Sequence, residues 1–373
     1  MESSQKYEEL QTSYEENDKT VKSSNLPFIL QALLAAIFFG ASAPIAKLLL
    51  DDNIAPIFLA AFLYIGSGTG IALVKLTQRM RSKEVEAGIK RPDIKWLAGA
   101  IISGGILAPI VLMVSLQNTP ASTASLLLNF EGVGTTLIAL LFFKEAIGRR
   151  AWTAIIVITL ASVFLSTDFK SGFGLSLGAL GVILACVLWG VDNNFTRNIS
   201  GKDPLAIVAW KGLIAGTFSF FLALLLGNPF PAVKTILGTL ILGFVSYGLS
   251  TMLFIRSMRG LGAARTSALY GTAPLAGVLL SIVIFGEYPS FLFIIAAVLM
   301  IGGALLLINE QHEHSHMHTA LFHEHSHKHD DPAHGHDDAN ADGVHSHEHE
   351  HPAEEHAHDH MPDIHHRHGH DGK

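Results

Sequence analysis

Glu131 stands inside an apolar run, behind Leu126-Leu127-Leu128-Asn129-Phe130 and ahead of a long stretch without charge. A carboxylate in that setting can bind and release a coupling proton or recognise a cationic group. It can equally brace two helices through hydrogen bonds. Lys47 follows Pro44 by three residues and suits a substrate carboxylate or a pairing with Glu131. Its long stem also suits snorkelling to a nearby interface. Asp192-Asn193-Asn194, followed by Arg197, offers donors and acceptors for a polar substrate, or a helix-terminal cap paired with Arg197. Lys211, beside Trp210, has Glu131, Asp192 or an anionic ligand group as candidate partners. Trp189, Trp210, Tyr247 and Tyr270 have the apolar body and polar tip of a pocket wall, a composition that membrane-interface belts share.

A second kind of chemistry is confined to the C-terminal end. All 21 histidines lie at or after His312. They alternate with serine and glutamate in three runs: His312, His314, His316 and His318; His323, His325, His327 and His329; His345, His347, His349 and His351. Imidazole suits zinc, nickel, cobalt and copper, and the interleaved carboxylates add oxygen ligands. The expectation is a flexible segment that binds several divalent ions without a fixed site, while the rest of the chain requires no cofactor. A solvated low-complexity tail that meets metal only incidentally has the same composition.

The elements that must position these groups follow from composition. Apolar residues are 49% of the 373 and charged residues 15%, against about 25% charged in soluble domains. Residues 312–373 carry a net charge of −11 and the remainder +4. So apolar a body excludes a water-soluble enzyme, and the absence of a basic stripe excludes nucleic acid as a partner. The lone Cys186 excludes a disulfide framework or a cysteine zinc finger. No Gly-Lys-Ser/Thr phosphate loop, nucleophile elbow or HExxH is present, so no catalytic residue is assigned. Residues 1–26 hold six acids and three bases, read as a disordered segment rather than a secretory signal.

A helix needs about 20 apolar residues to cross a bilayer. Ten such runs occur, at 27–50, 55–76, 96–116, 123–143, 151–166, 174–194, 205–226, 235–256, 264–285 and 288–308. Ionisable groups at that depth cost about 2.5–3.5 kcal/mol each on insertion scales, so they face a cavity or a partner. With the N-terminus cytoplasmic, the inner loops carry fourteen Lys and Arg against two outside, Lys170 and Lys234. Ten spans then return the C-terminus to the cytoplasm. Gly66-Ser67-Gly68-Thr69-Gly70, and Gly212 with Gly216, place small residues where helices can approach closely.

The body also repeats itself. An offset of 142 places Phe143-Lys144-Glu145 on Phe285-Gly286-Glu287, Ser115 on Ser257 and Ala121 on Ala263. Near the start of each half the offset is 150, placing Phe39-Gly40 on Trp189-Gly190 and Lys47 on Arg197. Five spans per half, an odd number, turn the second half upside down relative to the first. The expected fold is therefore an all-α integral membrane protein of ten transmembrane helices in two inverted five-helix repeats, with disordered termini. Its divisions are 1–26, 27–168, 169–310 and 311–373.

Phe39-Gly40-Ala41-Ser42-Ala43-Pro44-Ile45-Ala46-Lys47 resembles the first-span signature of EamA-type transporters of the drug/metabolite superfamily. Asn129-Phe130-Glu131-Gly132 and Ala273-Pro274-Leu275 are similar to the fourth- and ninth-span patterns of that family, with one departure at Gly132, where proline is frequent. The resemblance implies a ten-span exporter or permease of small metabolites, at home in a bacterial inner (plasma) membrane. Two functions follow as expectations. One is a secondary transporter of a small organic metabolite such as an amino acid, with proton coupling and a metal-binding tail. The other is a transition-metal transporter or a membrane-anchored metal buffer or sensor. The lipid bilayer is a partner in both, and oligomeric state is left open.

Overall fold

Hydrocarbon offers no hydrogen bonds, so an apolar chain crossing it must satisfy its backbone internally, and here the apolar runs are helices. The computed structural model describes residues 26–81, 87–143, 149–168, 174–199, 201–286, 290–308, 312–317, 321–328, 344–351 and 355–360. The first half contains α1 (Leu26–Gly40), α2 (Ser42–Asp51), α3 (Pro56–Arg81), α4 (Ile94–Ala100), a π-helical segment (Ile101–Leu107), α5 (Ala108–Leu116), α6 (Ala121–Leu127), α7 (Phe130–Phe143) and α8 (Arg149–Ser166). The second contains α9 (Leu177–Arg197), α10 (Pro204–Leu225), α11 (Val233–Leu242), a second π-segment (Gly243–Leu249), α12 (Ser250–Tyr270), α13 (Ala273–Phe285) and α14 (Phe291–Ile308). Among the described residues seven stretches are long and apolar enough to cross a membrane, and three shorter apolar helices lie within the fifth, ninth and tenth sequence spans. Helical backbone in α12 continues through 257–263, where the sequence reading places a loop.

Local signals set several ends. Asp203 accepts hydrogen bonds from the Leu205 and Ala206 amides and caps α10, whose first residue is Pro204. Ser176 caps α9 by accepting from the Ala179 amide at 3.3 Å. Gly286, in the left-handed region at φ 61°, ends α13. Between the halves, Thr167–Asp168 (β1) pairs antiparallel with Gly174–Leu175 (β2).

The 142-residue repeat reappears in backbone detail. The two π-segments lie 142 residues apart from first residue to last. Interruptions at 128–129, between α6 and α7, and at 271–272, between α12 and α13, lie 143 residues apart, one residue from the same offset. Both are tight turns with i→i+3 bonds: Glu131 and Gly132 amides donate to the Leu128 and Asn129 carbonyls, and Thr272 donates to Leu269. The first interruption therefore forms without a proline at Gly132.

The halves interlock. Span 2 (α3) packs along span 7 (α10), and span 5 (α8) along span 10 (α14). The opening helix of each half lies against the other half: α1 against α12 and α13, α9 against α5 and α7. Glycine permits these approaches, as the sequence reading expects for Gly68 and Gly212. A Cβ on Gly212 would stand 2.5 Å from the Gly68 nitrogen. Repeat-related Gly40 and Gly190 do likewise: a Cβ would collide with the Ala273 carbonyl oxygen in one case and lie 2.7 Å from the Gly134 carbonyl carbon in the other. Gly190→Leu should force α9 from α7 and destabilise the bundle by about 1–3 kcal/mol or more. Gly302→Leu, where no atom lies within 4 Å, should leave detergent melting unchanged. Equal melting temperatures for the two variants would refute this packing.

The histidine-rich segment contributes His312–Met317 (β3), Leu321–Lys328 (β4), Val344–His351 (β5) and Glu355–His360 (β6). β3 pairs antiparallel with β6 and β4 with β5. Alternation of histidine with serine or acid has the period of two that a strand requires. Residues 1–25 lie outside the described residues.

Candidate functional site in the membrane body

Glu131 occupies the first turn of α7, just past the interruption at Asn129. A helix start favours a carboxylate there, because its free N–H groups and dipole are positive. The Asn193 side-chain amide of α9 donates to Glu131 Oε1 at 2.8 Å and to Thr135 Oγ1 at 3.2 Å. Asn194 donates to the Thr135 carbonyl at 3.0 Å and to the Gly190 carbonyl at 2.8 Å. The two asparagines thus tie α9 to α7 beside the close approach of Gly190 and Gly134. Cys186, about two turns before Asn193 on α9, is buried with its Sγ 3.6 Å from the Leu127 carbonyl at the α6 end.

One residue before Asn193, Asp192 is buried and forms an ion pair with Lys211 of α10. Its Oδ1 also accepts from the Thr196 hydroxyl at 3.0 Å. The carboxylate reaches the first π-segment at Gly104, where a Cβ would collide with Asp192 Oδ2, so only glycine fits. The Gly104 carbonyl accepts from the Tyr64 hydroxyl at 2.5 Å and from Trp189 Nε1 at 3.1 Å. A π-helical turn displaces carbonyls from the regular i→i−4 ladder, which leaves them available to side chains.

Aromatic rings adjoin these charges. Phe39 lies 6.1 Å from Trp189, 6.1 Å from Tyr247 and 5.4 Å from Tyr270, and Tyr64 lies 5.5 Å from Tyr247. Phe39 and Trp189 are counterparts under the 150-residue offset, and Gly104 and Ser246 under the 142-residue offset. The first π-segment supplies a backbone carbonyl, and the second supplies the Ser246 and Tyr247 side chains. Among the described residues, Ser125 Oγ, Ser246 Oγ and Gln31 Oε1 are buried without a hydrogen-bond partner, and the buried Ser42 Oγ and Tyr247 hydroxyl have no partner beyond each other.

Of the residues marked in the sequence, Glu131, Asp192, Asn193, Asn194 and Lys211 come together, with Trp189, Tyr247 and Tyr270 beside them. Lys47 lies elsewhere. Its ammonium donates to the Leu116 carbonyl at 2.6 Å and the Gln117 carbonyl at 3.0 Å, capping the C-terminal end of α5. Trp210 is 54% exposed on the outside of the bundle, so it is not a wall of this site. Phe39, Tyr64, Gly104, Thr135 and Ser42 join the site without having been marked in the sequence. The repeat places Phe39 on Trp189, and that equivalence is the signal that points to it.

In the tail, His314 and His316 stand opposite His358 and His356 in the β3–β6 register. His323, His325 and His327 stand opposite His349, His347 and His345 in the β4–β5 register. His312 faces His360 and His351 faces Leu321. His318 and His329 lie outside the described residues. Among the described residues no group of three or more His, Cys, Asp and Glu side chains is gathered as a metal site.

The model of the EamA-like transporter family matches twice, at residues 26–167 and 176–309, once for each half. An uncharacterized transporter of Methanothermobacter thermautotrophicus is 28% identical over 291 residues, covering 74% of this chain and 84% of its own. The uncharacterized inner membrane transporter YicL of Salmonella typhimurium is 23% identical over 298 residues, covering 74% of this chain and 94% of its own. A solved crystal structure superposes with a TM-score of 0.56 at 21% identity, covering 74% of this chain and 94% of that one, a likeness of fold.

Proposed function

Because this chain belongs to the EamA-like transporter family, and is an integral membrane protein of that kind, we propose that it is a secondary transporter moving a small organic metabolite by alternating access. The observation that carries this reading is the juxtaposition, within the apolar helical spans, of the Asp192–Lys211 pair and the Glu131–Asn193 contact with the ring cluster where the two halves cross. Burying such groups is costly, and a bundle needing only stability has cheaper contacts. Two five-helix halves of inverted orientation would rock about this point, opening it to one side and then the other. Glu131 is the group able to bind and release a coupling proton. The protein would reside in a bacterial inner membrane with both termini cytoplasmic.

The test is flux of a metabolite panel in proteoliposomes, with and without a pH gradient. Gradient-dependent movement of an organic solute supports the reading. Movement of divalent metal alone would replace it with metal transport.

The tail would act as a collector of zinc, nickel, cobalt or copper at the cytoplasmic mouth. Deleting residues 312–373 leaves every helix in place, since α14 ends at Ile308. The truncated protein should keep metabolite flux within about two-fold, because so polar a segment adds little to folding. It should lose most of its capacity to bind nickel in equilibrium dialysis. Loss of metabolite flux on truncation would make the tail part of the transport machinery.

A further inference from the structure

We infer, on the basis of the transport reading, that the central site takes a monovalent organic cation: an ammonium-bearing metabolite without a free carboxylate. The charges come first. When Glu131 is deprotonated, it and Asp192 carry two negative charges, and Lys211, whose ammonium is engaged by Asp192, carries one positive charge. The cluster therefore holds one net negative charge, and Glu131 is held by the neutral Asn193 amide. A ligand carboxylate would find the lysine already paired and two carboxylates close by. An ammonium would complete the balance.

The walls fit the same ligand. Phe39, Tyr64, Trp189, Tyr247 and Tyr270 form a continuous set of rings, each within 6.1 Å of another. Aromatic faces attract a weakly hydrated organic cation and offer nothing comparable to an anion. The Tyr64 hydroxyl and Trp189 Nε1 both donate to the carbonyl of Gly104, the residue against which the Asp192 carboxylate packs, so charge and rings belong to one site.

Acceptors complete it. The Tyr247 hydroxyl and Ser42 Oγ are neighbours that face each other, 7% and 1% exposed as residues, and among the described residues neither has a hydrogen bond to any other group. Two buried hydroxyls with no partner beyond each other keep acceptor lone pairs that a ligand N–H can use. A bare divalent ion is best held by three or more His, Cys, Asp or Glu side chains converging on one point, a grouping not found among the described residues.

The experiment compares matched pairs that differ by the α-carboxylate, phenethylamine with phenylalanine and isoamylamine with leucine, plus the acids 3-phenylpropionate and 4-methylvalerate. Full-length protein in proteoliposomes is assayed for tracer flux, and in detergent for binding by tryptophan fluorescence. The amines should bind and move at least about ten-fold better than their carboxylated partners, the size of one charge-assisted contact. Tyr247→Phe deletes a hydroxyl whose one neighbouring group is the Ser42 hydroxyl, so thermal stability should change little. It should weaken phenethylamine by about ten-fold while sparing its N,N,N-trimethyl derivative, which has no N–H to donate. Flux of amino acids or acids equal to or above that of the amines overturns the cation assignment and leaves the transport reading intact. No flux of any class, with or without a pH gradient, overturns both.

Discussion

Glu131→Gln is expected to abolish flux driven by a pH gradient, lowering it by about 100-fold or more, while the protein stays folded and monodisperse in detergent. Glutamine has the shape of glutamate, and its carbonyl oxygen can still accept the Asn193 amide that now bonds Oε1 at 2.8 Å. The tie between α7 and α9 also keeps the bonds from Asn193 to Thr135 Oγ1 and from Asn194 to the Thr135 carbonyl, neither of which involves residue 131. What glutamine cannot do is take up or release a proton. Transport should therefore lose its dependence on the gradient before the helix packing loses anything, and a melting curve beside the flux assay separates the two. An unchanged gradient dependence in this variant would make Glu131 a structural brace.

The second large effect concerns the Asp192–Lys211 pair. Removing one member leaves the other charge buried without its partner, which costs about 3–5 kcal/mol, whereas removing both is often close to neutral. Asp192→Asn and Lys211→Met should each lower the detergent melting temperature sharply. The double variant should recover most of the loss. Flux should stay absent in all three, because the charge balance and the contact joining α9 to α10 are gone. A double variant as unstable as the worse single one would contradict the pairing, as would a Lys211→Met protein of undiminished stability.

Much of this arrangement is legible in the residues alone. The lengths of the apolar runs dictate helices, because an unpaired backbone group in hydrocarbon is prohibitively costly and a helix satisfies its own. The 142-residue offset, faint in the side chains, is carried by both π-segments and, to within one residue, by both helix interruptions. Glu131 stands out because a carboxylate inside an apolar run must have a reason to be there.

Partners and facing directions are another matter. The sequence leaves Lys211 to choose among Glu131, Asp192 and a ligand, and the packing of α9 and α10 against the first π-segment settles it on Asp192. Lys47, equally apolar in its surroundings, turns to two carbonyls at the end of α5. Trp189 and Trp210 read alike, yet one points inward to the Gly104 carbonyl and the other lies outside the bundle. In a soluble helix a polar stripe would have told them apart. In a membrane bundle lipid and protein interior are alike apolar, so periodicity marks where a helix runs and only tertiary packing decides which way it faces.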